Sequence, residues 1–388
     1  MTIYFIQVLL RWVAGFFRKT TPDKTFRKVY LVFAGICLVL VAGLRQYTVG
    51  TDLDHHYARE YTMLADTSWK QIPKLNITYE VGYRYYCKIL SIFSSNVQYF
   101  IFVTSLITIG IFLWFVYENS VDIVMSTLLF VLYCINYMYY NVIRQAVAVS
   151  IVLIGYHFLK KRDLGIIRYA AFAAFIVLAS TFHSSAILCL LIIVFNIASR
   201  YPVRLLPSLL ITLIVFMLYG ELFTFLNGNV FAGTSNYDRY TSSGSIAAEG
   251  QGYFSRQPLG DVCLCAGALL LAYFLMVRKN RGGEVISAQH DSLAYRIQDE
   301  RLIIYSSLIC FICRLLVFRM NIIYRVSYYF VPFVLLLYPL AISRLEKNTR
   351  IVVSTVIYII FFIYFAWMTV AYAGNLYGTV PYKFYWEL

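Results

Sequence analysis

Within the thirteen residues Arg45–Tyr57 (RQYTVGTDLDHHY) the chain places one arginine, two aspartates, two histidines and a glycine. A guanidinium grips phosphate oxygens through its planar donor fork, and imidazoles and carboxylates accept protons. The segment therefore combines anion binding with proton transfer. Gly50 permits a tight turn, and Asp52 is placed to orient an arginine or a sugar hydroxyl. Asp54, His55 and His56 read equally well as a solvated loop edge. Glu80, two residues before Gly82, is a proton acceptor or a partner for Arg84. Arg144 and Gln145, in YYNVIRQAVAVS, set a guanidinium and an amide at the start of an apolar helix, which suits an anion; pairing with a loop carboxylate is the structural alternative. His183 lies among Ser180, Thr181, Ser184 and Ser185 at a helix end, an imidazole placed to accept a proton.

The elements that must position these residues are set by composition. The 388 residues are 61% hydrophobic and 13% charged, with mean hydropathy +0.69. Soluble domains carry about 25% charged residues. That deficit, with repeated long apolar runs, predicts an all-α, polytopic integral membrane protein forming one membrane domain over 1–388. Twelve apolar segments are expected: 2–17, 29–44, 98–117, 121–138, 142–159, 169–182, 184–199, 205–226, 258–277, 302–318, 326–342 and 351–371. Several fall short of the roughly 20 residues that cross a hydrocarbon core, so some helices are expected to be short or broken. Only the polar STFHSS stretch separates 169–182 from 184–199, and one long helix there would lower the count to eleven.

Orientation follows from the basic residues, which gather in alternate short connections: Arg18 to Lys28, Lys160 to Arg168, Arg200 and Arg204, Arg278 to Arg301, and Arg344 to Arg350. The positive-inside rule assigns these to the cytoplasmic side. The large loop 45–97, with helical content of its own around Tyr79–Phe93, and a second loop at 227–257 then lie outside, and 278–301 is the main inner loop. Arg45, Arg84, Arg144, Arg239, Arg256, Arg314, Arg319 and Arg325 depart from the inner bias. A guanidinium near hydrocarbon is costly unless paired or snorkelled. Snorkelling explains any one of them, whereas a polyanion at the outer surface, such as a lipid pyrophosphate, explains several together.

The net charge of +14 is spread over short loops rather than drawn into a stripe, which argues against nucleic acid as a partner. The eight cysteines sit mostly inside apolar runs as small hydrophobes, and neither Cys263/Cys265 nor Cys310/Cys313 has a histidine beside it. Metal-binding, P-loop and dinucleotide motifs are absent. No metal or cofactor is expected.

LRQYTVGTDLDHHY after an early span, YEVGYRYY later in the same loop, NVIRQAVA opening a span, LASTFHSSAI and RVSYYF occur in an order that resembles the EpsG family of Wzy-like bacterial polysaccharide polymerases. The resemblance implies an enzyme of the bacterial cytoplasmic membrane, working on its outer face. Its substrates would be undecaprenyl-pyrophosphate-linked oligosaccharides, with a flippase and a chain-length regulator of the same pathway as partners alongside membrane lipids. It maps onto Arg45, Gly50, Asp52, Tyr57, Glu80, Gly82, Arg144, Gln145, His183 and Arg325. Under that reading Arg144 and Arg325, with Arg45, Arg319, Arg84, Gln145 and Tyr57, hold substrate and pyrophosphate, while His183, Asp52 or Glu80 serves the acceptor hydroxyl. A lipid-linked glycan ligase and a transporter are the competing classes. A transporter is expected to place its polar residues near midplane with internal repeats.

Overall fold

The computed structural model describes residues 1–16, 23–75, 79–218, 220–221, 256–277, 291–318, 323–372, 374 and 377–387. Nearly all of the loop expected at 227–257, and the loop 278–301 up to residue 290, lie outside those residues, as does Arg319. Among the described residues the architecture is helical, with one isolated antiparallel bridge between Arg45 and Phe384 and no strand.

Every expected apolar segment contains helix, but twelve full crossings are not what the lengths give. Among the described residues, five helices are long and apolar enough to cross a membrane: Asp23–Gly43, Val97–Asn119, Ile143–Lys160, Leu259–Met276 and Lys347–Ala371. The pair Ile123–Leu132 and Ile135–Asn141 makes a sixth only if its 60° bend is counted within one span. Shorter apolar helices are Thr2–Gly15, Ile167–Ser180, Ser184–Ala198, Pro207–Met217 and Val331–Ile342. At about 1.5 Å per residue these fall short of a hydrocarbon core of about 30 Å. Multi-pass membrane architecture stands, and the count of twelve does not follow. The division at STFHSS is real: one helix ends at Ser180 and the next turn, of 3₁₀ form, begins at Ser184.

The described residues gather into two compact units, Met1–His183 with Ile351–Leu388, and Ser184–Arg350. In the first unit, α1 (Thr2–Phe16) packs on α2 (Asp23–Gly43), and α2 lies along α5 (Val97–Asn119). Between them the loop 45–97 folds into two short amphipathic helices, α3 (Ala58–Asp66) and α4 (Val81–Ser91). Their apolar faces close on a core of Leu53, Tyr57, Tyr61, Leu64, Tyr79, Tyr83, Cys87 and Leu90 that reaches Phe100 and Ile101 of α5. Asn96 caps α5 by accepting from the Gln98 amide at 2.8 Å, and Asp122 caps α6 (Ile123–Leu132) by accepting from Met125 at 3.1 Å. These caps satisfy amides that helix starts leave without partners.

The bend between α6 and α7 (Ile135–Asn141) occurs at Cys134, whose φ of +59° is left-handed. That conformation is rare for a residue with a Cβ. It turns the fully buried α7 so that Asn141 and Val142 deliver the chain to α8 (Ile143–Lys160), which packs along α5 and α9 (Ile167–Ser180).

In the second unit the helices Arg256–Ala272, Asp291–Leu316 and Val331–Ile342 pack together, and every residue of Val331–Ile342 is buried. Arg314 donates to Asp261 at 2.9 Å with both side chains buried, and the Tyr324 hydroxyl donates to the same carboxylate at 2.9 Å. The Arg314 guanidinium stands 3.9 Å from the Tyr324 ring centroid. A charge buried this deeply needs a partner of this kind, and Asp261 was not among the residues singled out in the sequence.

Candidate active site

The Arg45–Tyr57 segment begins as a turn built around Arg45. That guanidinium is 1% exposed. It donates to the carbonyls of Ala42, Val49 and Tyr140 and to Ser105 Oγ, and stacks on the Tyr140 ring at 4.7 Å. These contacts staple the end of α2 to α5 and α7 and leave Arg45 inside the protein, away from any anion at the surface. Gly50 is required here: its φ is +118°, and a Cβ would lie 3.0 Å from the Tyr140 carbonyl oxygen.

The partner of this turn comes from the far end of the chain. Residues 377–387 run back over it as a strap: Gly50 donates to the Gly378 carbonyl at 2.8 Å, Thr51 to Tyr377 at 3.2 Å and Gln46 to Lys383 at 2.9 Å. Tyr385 donates to Leu44 at 2.9 Å. Asn141 ties the pieces together, donating to the Tyr377 carbonyl at 2.9 Å and accepting from the Asp52 amide at 3.3 Å. Asp52 thus sits, partly buried, at the head of a short π-helical turn, Leu53–Tyr57, that runs into α3. His56 is exposed, and the His55 side chain lies outside the described residues.

Arg144, in the first turn of α8, is the focus. It is paired with Glu80 at the start of α4, the two side chains being 15% and 14% exposed. Its guanidinium lies 4.0 Å from the Tyr79 ring centroid, and it is hydrogen-bonded to Tyr57. Its Nε has no hydrogen-bond partner among the described residues. Tyr57, Tyr79 and Tyr83 pack as a cluster with centroids 5.5 to 5.8 Å apart, which fixes the aromatic wall under the guanidinium. Burial, then Tyr57, Glu60 and Asp52, raise the Tyr79 hydroxyl above its ordinary pKa, so it stays protonated. Gln145 follows Arg144 and is fully buried in α8.

Gly82 sets the position of Glu80. Its amide donates to the Thr181 carbonyl at 2.8 Å, and a Cβ would overlap Thr181 Oγ1 and lie 2.8 Å from that carbonyl oxygen. This contact docks the end of α9 on the start of α4. His183 follows two residues on, partly exposed, with its amide donating to Ala179 at 3.0 Å. The structure thus brings Tyr57, Glu80 and Arg144 into direct contact, with Asp52 close enough to act on Tyr79.

Arg84 is occupied differently. Its Nε donates to the Tyr79 carbonyl at 2.6 Å, and Nη1 to Leu75 at 3.1 Å and Ile72 at 3.3 Å. It clasps the loop that leads into α4, so most of its fork is spent on backbone. Arg325 lies in the second unit, on the short helix Ile323–Ser327, partly exposed.

One further residue belongs to the Arg144 group. Glu60, in the first turn of α3, has a carboxylate oxygen that is buried without a hydrogen-bond partner among the described residues. Burial pushes its carboxyl up from 4.5 to about 7, against the opposing pull of Arg144 and Arg84. Its charge is also felt by Tyr79 and Cys87. The sequence carried one sign of it: Tyr57, Glu60, Tyr61 and Leu64 recur at helical spacing, which puts Glu60 beside the tyrosine face.

A family model described as the EpsG family matches residues 28–384. No curated protein and no solved structure matches the chain.

Proposed function

The chain belongs to the EpsG family of Wzy-like polymerases, and from that premise we propose that it is a glycosyltransferase joining undecaprenyl-pyrophosphate-linked oligosaccharides into a surface polysaccharide. The membrane is the bacterial cytoplasmic membrane, and the Arg144 group faces outward. The observation that carries this reading is the setting of Arg144: a cation at the start of a membrane helix, held by Glu80, Tyr57 and Tyr79, with Nε still to be satisfied. The amide end of α8 adds a partial positive charge at the same place.

In the reaction an acceptor sugar hydroxyl attacks the anomeric carbon of the donor glycan. The bond to the pyrophosphate breaks, and the lipid pyrophosphate leaves with the electron pair. The leaving group is already activated, so the protein's part is to stabilise its charge and orient the acceptor. Arg144 serves the first need by exchanging part of its contact with Glu80 for phosphate oxygens, a charge-assisted and bidentate interaction. Tyr57, Tyr79 and Tyr83, buried in the core beneath it, hold the guanidinium in place for that exchange. Arg45 and Arg84, committed to backbone carbonyls, hold the loop that presents these groups.

The test uses the purified protein in detergent or vesicles with its lipid-linked repeat unit, reading glycan length on a gel. The expected result is a ladder of longer glycans in wild type and none in R144A. A wild-type ladder from R144A would remove Arg144 from the chemistry. Failure of the wild-type protein to lengthen glycan that it binds would sink the polymerase reading. R325A in the same assay asks whether the second unit contributes to turnover.

A further inference from the structure

The polymerase reading needs a group to take the acceptor's proton. The Glu80 carboxylate is engaged with Arg144; to act as a base it would have to leave the guanidinium that steadies it. Glu60 is in a different condition. It stands in the first turn of α3, three residues beyond Tyr57, and Tyr57 together with Tyr61 and Leu64 of α3 is anchored in the core, so its backbone is firmly held. Its Oε2 is shut away from water with no donor among the described residues. A buried acceptor left unsatisfied is costly, and because the Glu60 residue as a whole is only partly buried, its carboxylate is open to a donor supplied from outside the protein.

Resting on the polymerase reading, we propose that Glu60 is the general base: its carboxylate accepts the hydrogen of the acceptor sugar's hydroxyl as that oxygen attacks the donor's anomeric carbon. The O–H bond breaks as the new glycosidic C–O bond forms, the old C–O bond to pyrophosphate breaks, and Glu60 is left protonated until it releases the proton to water. The surroundings fit this work. Arg144 from α8 and Arg84 from α4 favour the carboxylate; Tyr79 and Cys87 are the other titratable groups coupled to it. Desolvation outweighs the two cations and brings the carboxyl to about 7, near the pH at which a base is both available and strong.

The experiment measures turnover of the lipid-linked repeat unit against pH for wild type, E60Q and E60D, with binding of the same repeat unit measured in parallel. Wild-type turnover is expected to fall below about pH 7, following Glu60 protonation. E60Q is expected to lose about a hundredfold or more in turnover with donor binding within twofold. E60D is expected to keep reduced activity with its acid limb displaced. An E60Q enzyme within threefold of wild type, or an E60D limb that coincides with wild type, overturns the assignment. If E60Q does not fold, the E60D profile decides alone. An inactive wild type fails the polymerase reading itself, whereas an active wild type matched by E60Q fails only Glu60.

Discussion

Removing one partner of the Arg144–Glu80 pair tests how the site is held and what each residue does. Both side chains are about one-seventh exposed, so neither is freely solvated when left alone. Breaking a fully buried pair from one side costs 3–5 kcal/mol; residual water contact here lowers the expectation to about 2–3 kcal/mol for E80Q or R144M. Much of that cost is the stranded partner, so the double variant E80Q/R144M should lose less than the sum. A coupling of about 2 kcal/mol, roughly thirtyfold in the unfolding equilibrium, is expected. Reversible unfolding of the four proteins in detergent, by denaturant titration, gives the cycle. Additivity within about 0.5 kcal/mol would refute the pairing. The kinetics add a second reading. E80Q releases Arg144 for phosphate, so KM for the donor should fall while kcat stays within a few fold. A large drop in kcat with KM unchanged would instead return Glu80 to the role of base.

Gly82→Ala forces a Cβ against Thr181; overpacking of this kind costs about 1–3 kcal/mol, and the displaced Glu80 should lower turnover about tenfold or more. Wild-type melting and rate would show the contact to be slack. Gly50→Ala meets a left-handed backbone and the Tyr140 carbonyl, for an expected loss of about 1–3 kcal/mol in the same unfolding measurement. Asp261→Asn strands Arg314 in the second unit and should cost about 3 kcal/mol or more, with D261L/R314M recovering much of it; equal loss in the double variant contradicts that account. For pH, Glu60 binds its proton more tightly folded than unfolded, so its contribution is present below the ordinary carboxylate pKa and lost as pH rises through about 7. Thermal melts should therefore show E60Q gaining on wild type between pH 5 and 8, and parallel curves would count against a buried Glu60.

Apolar runs made the helical segments legible, because burial in lipid or protein demands the same residues along a whole turn. Crossing number was less legible. The break at Cys134 depends on a left-handed residue that is neither glycine nor proline, and Val331–Ile342 is apolar because protein surrounds it. Arg144 stood out at the opening of a helix, and its pairing with a loop carboxylate was foreseen in kind, with Glu80 supplying it. Arg45 looked similar in sequence, yet its donors meet carbonyls from α2 and α7 and a hydroxyl from α5, partners that no local pattern announces. Glu60 is not legible in the sequence, because the polar loop 45–97 gives no sign of the core that dries it. The strap at 377–387 has no periodicity, so its pairing with residues 44–51 is a tertiary fact alone.

That strap has a consequence for how the protein is made. The ribosome delivers α2 and the Gly50 turn first, and the carbonyls of Tyr377, Gly378 and Lys383 that accept from Gly50, Thr51 and Gln46 emerge only after every helix that lies between them in sequence. During most of translation the turn carrying Asp52 lacks those partners, however far the helices around it have been inserted. A nascent chain released after residue 370 would retain the apolar helices of the first unit while its acid-bearing turn stayed unfinished. Synthesis through residue 387 thus becomes a condition for completing the turn that carries Asp52.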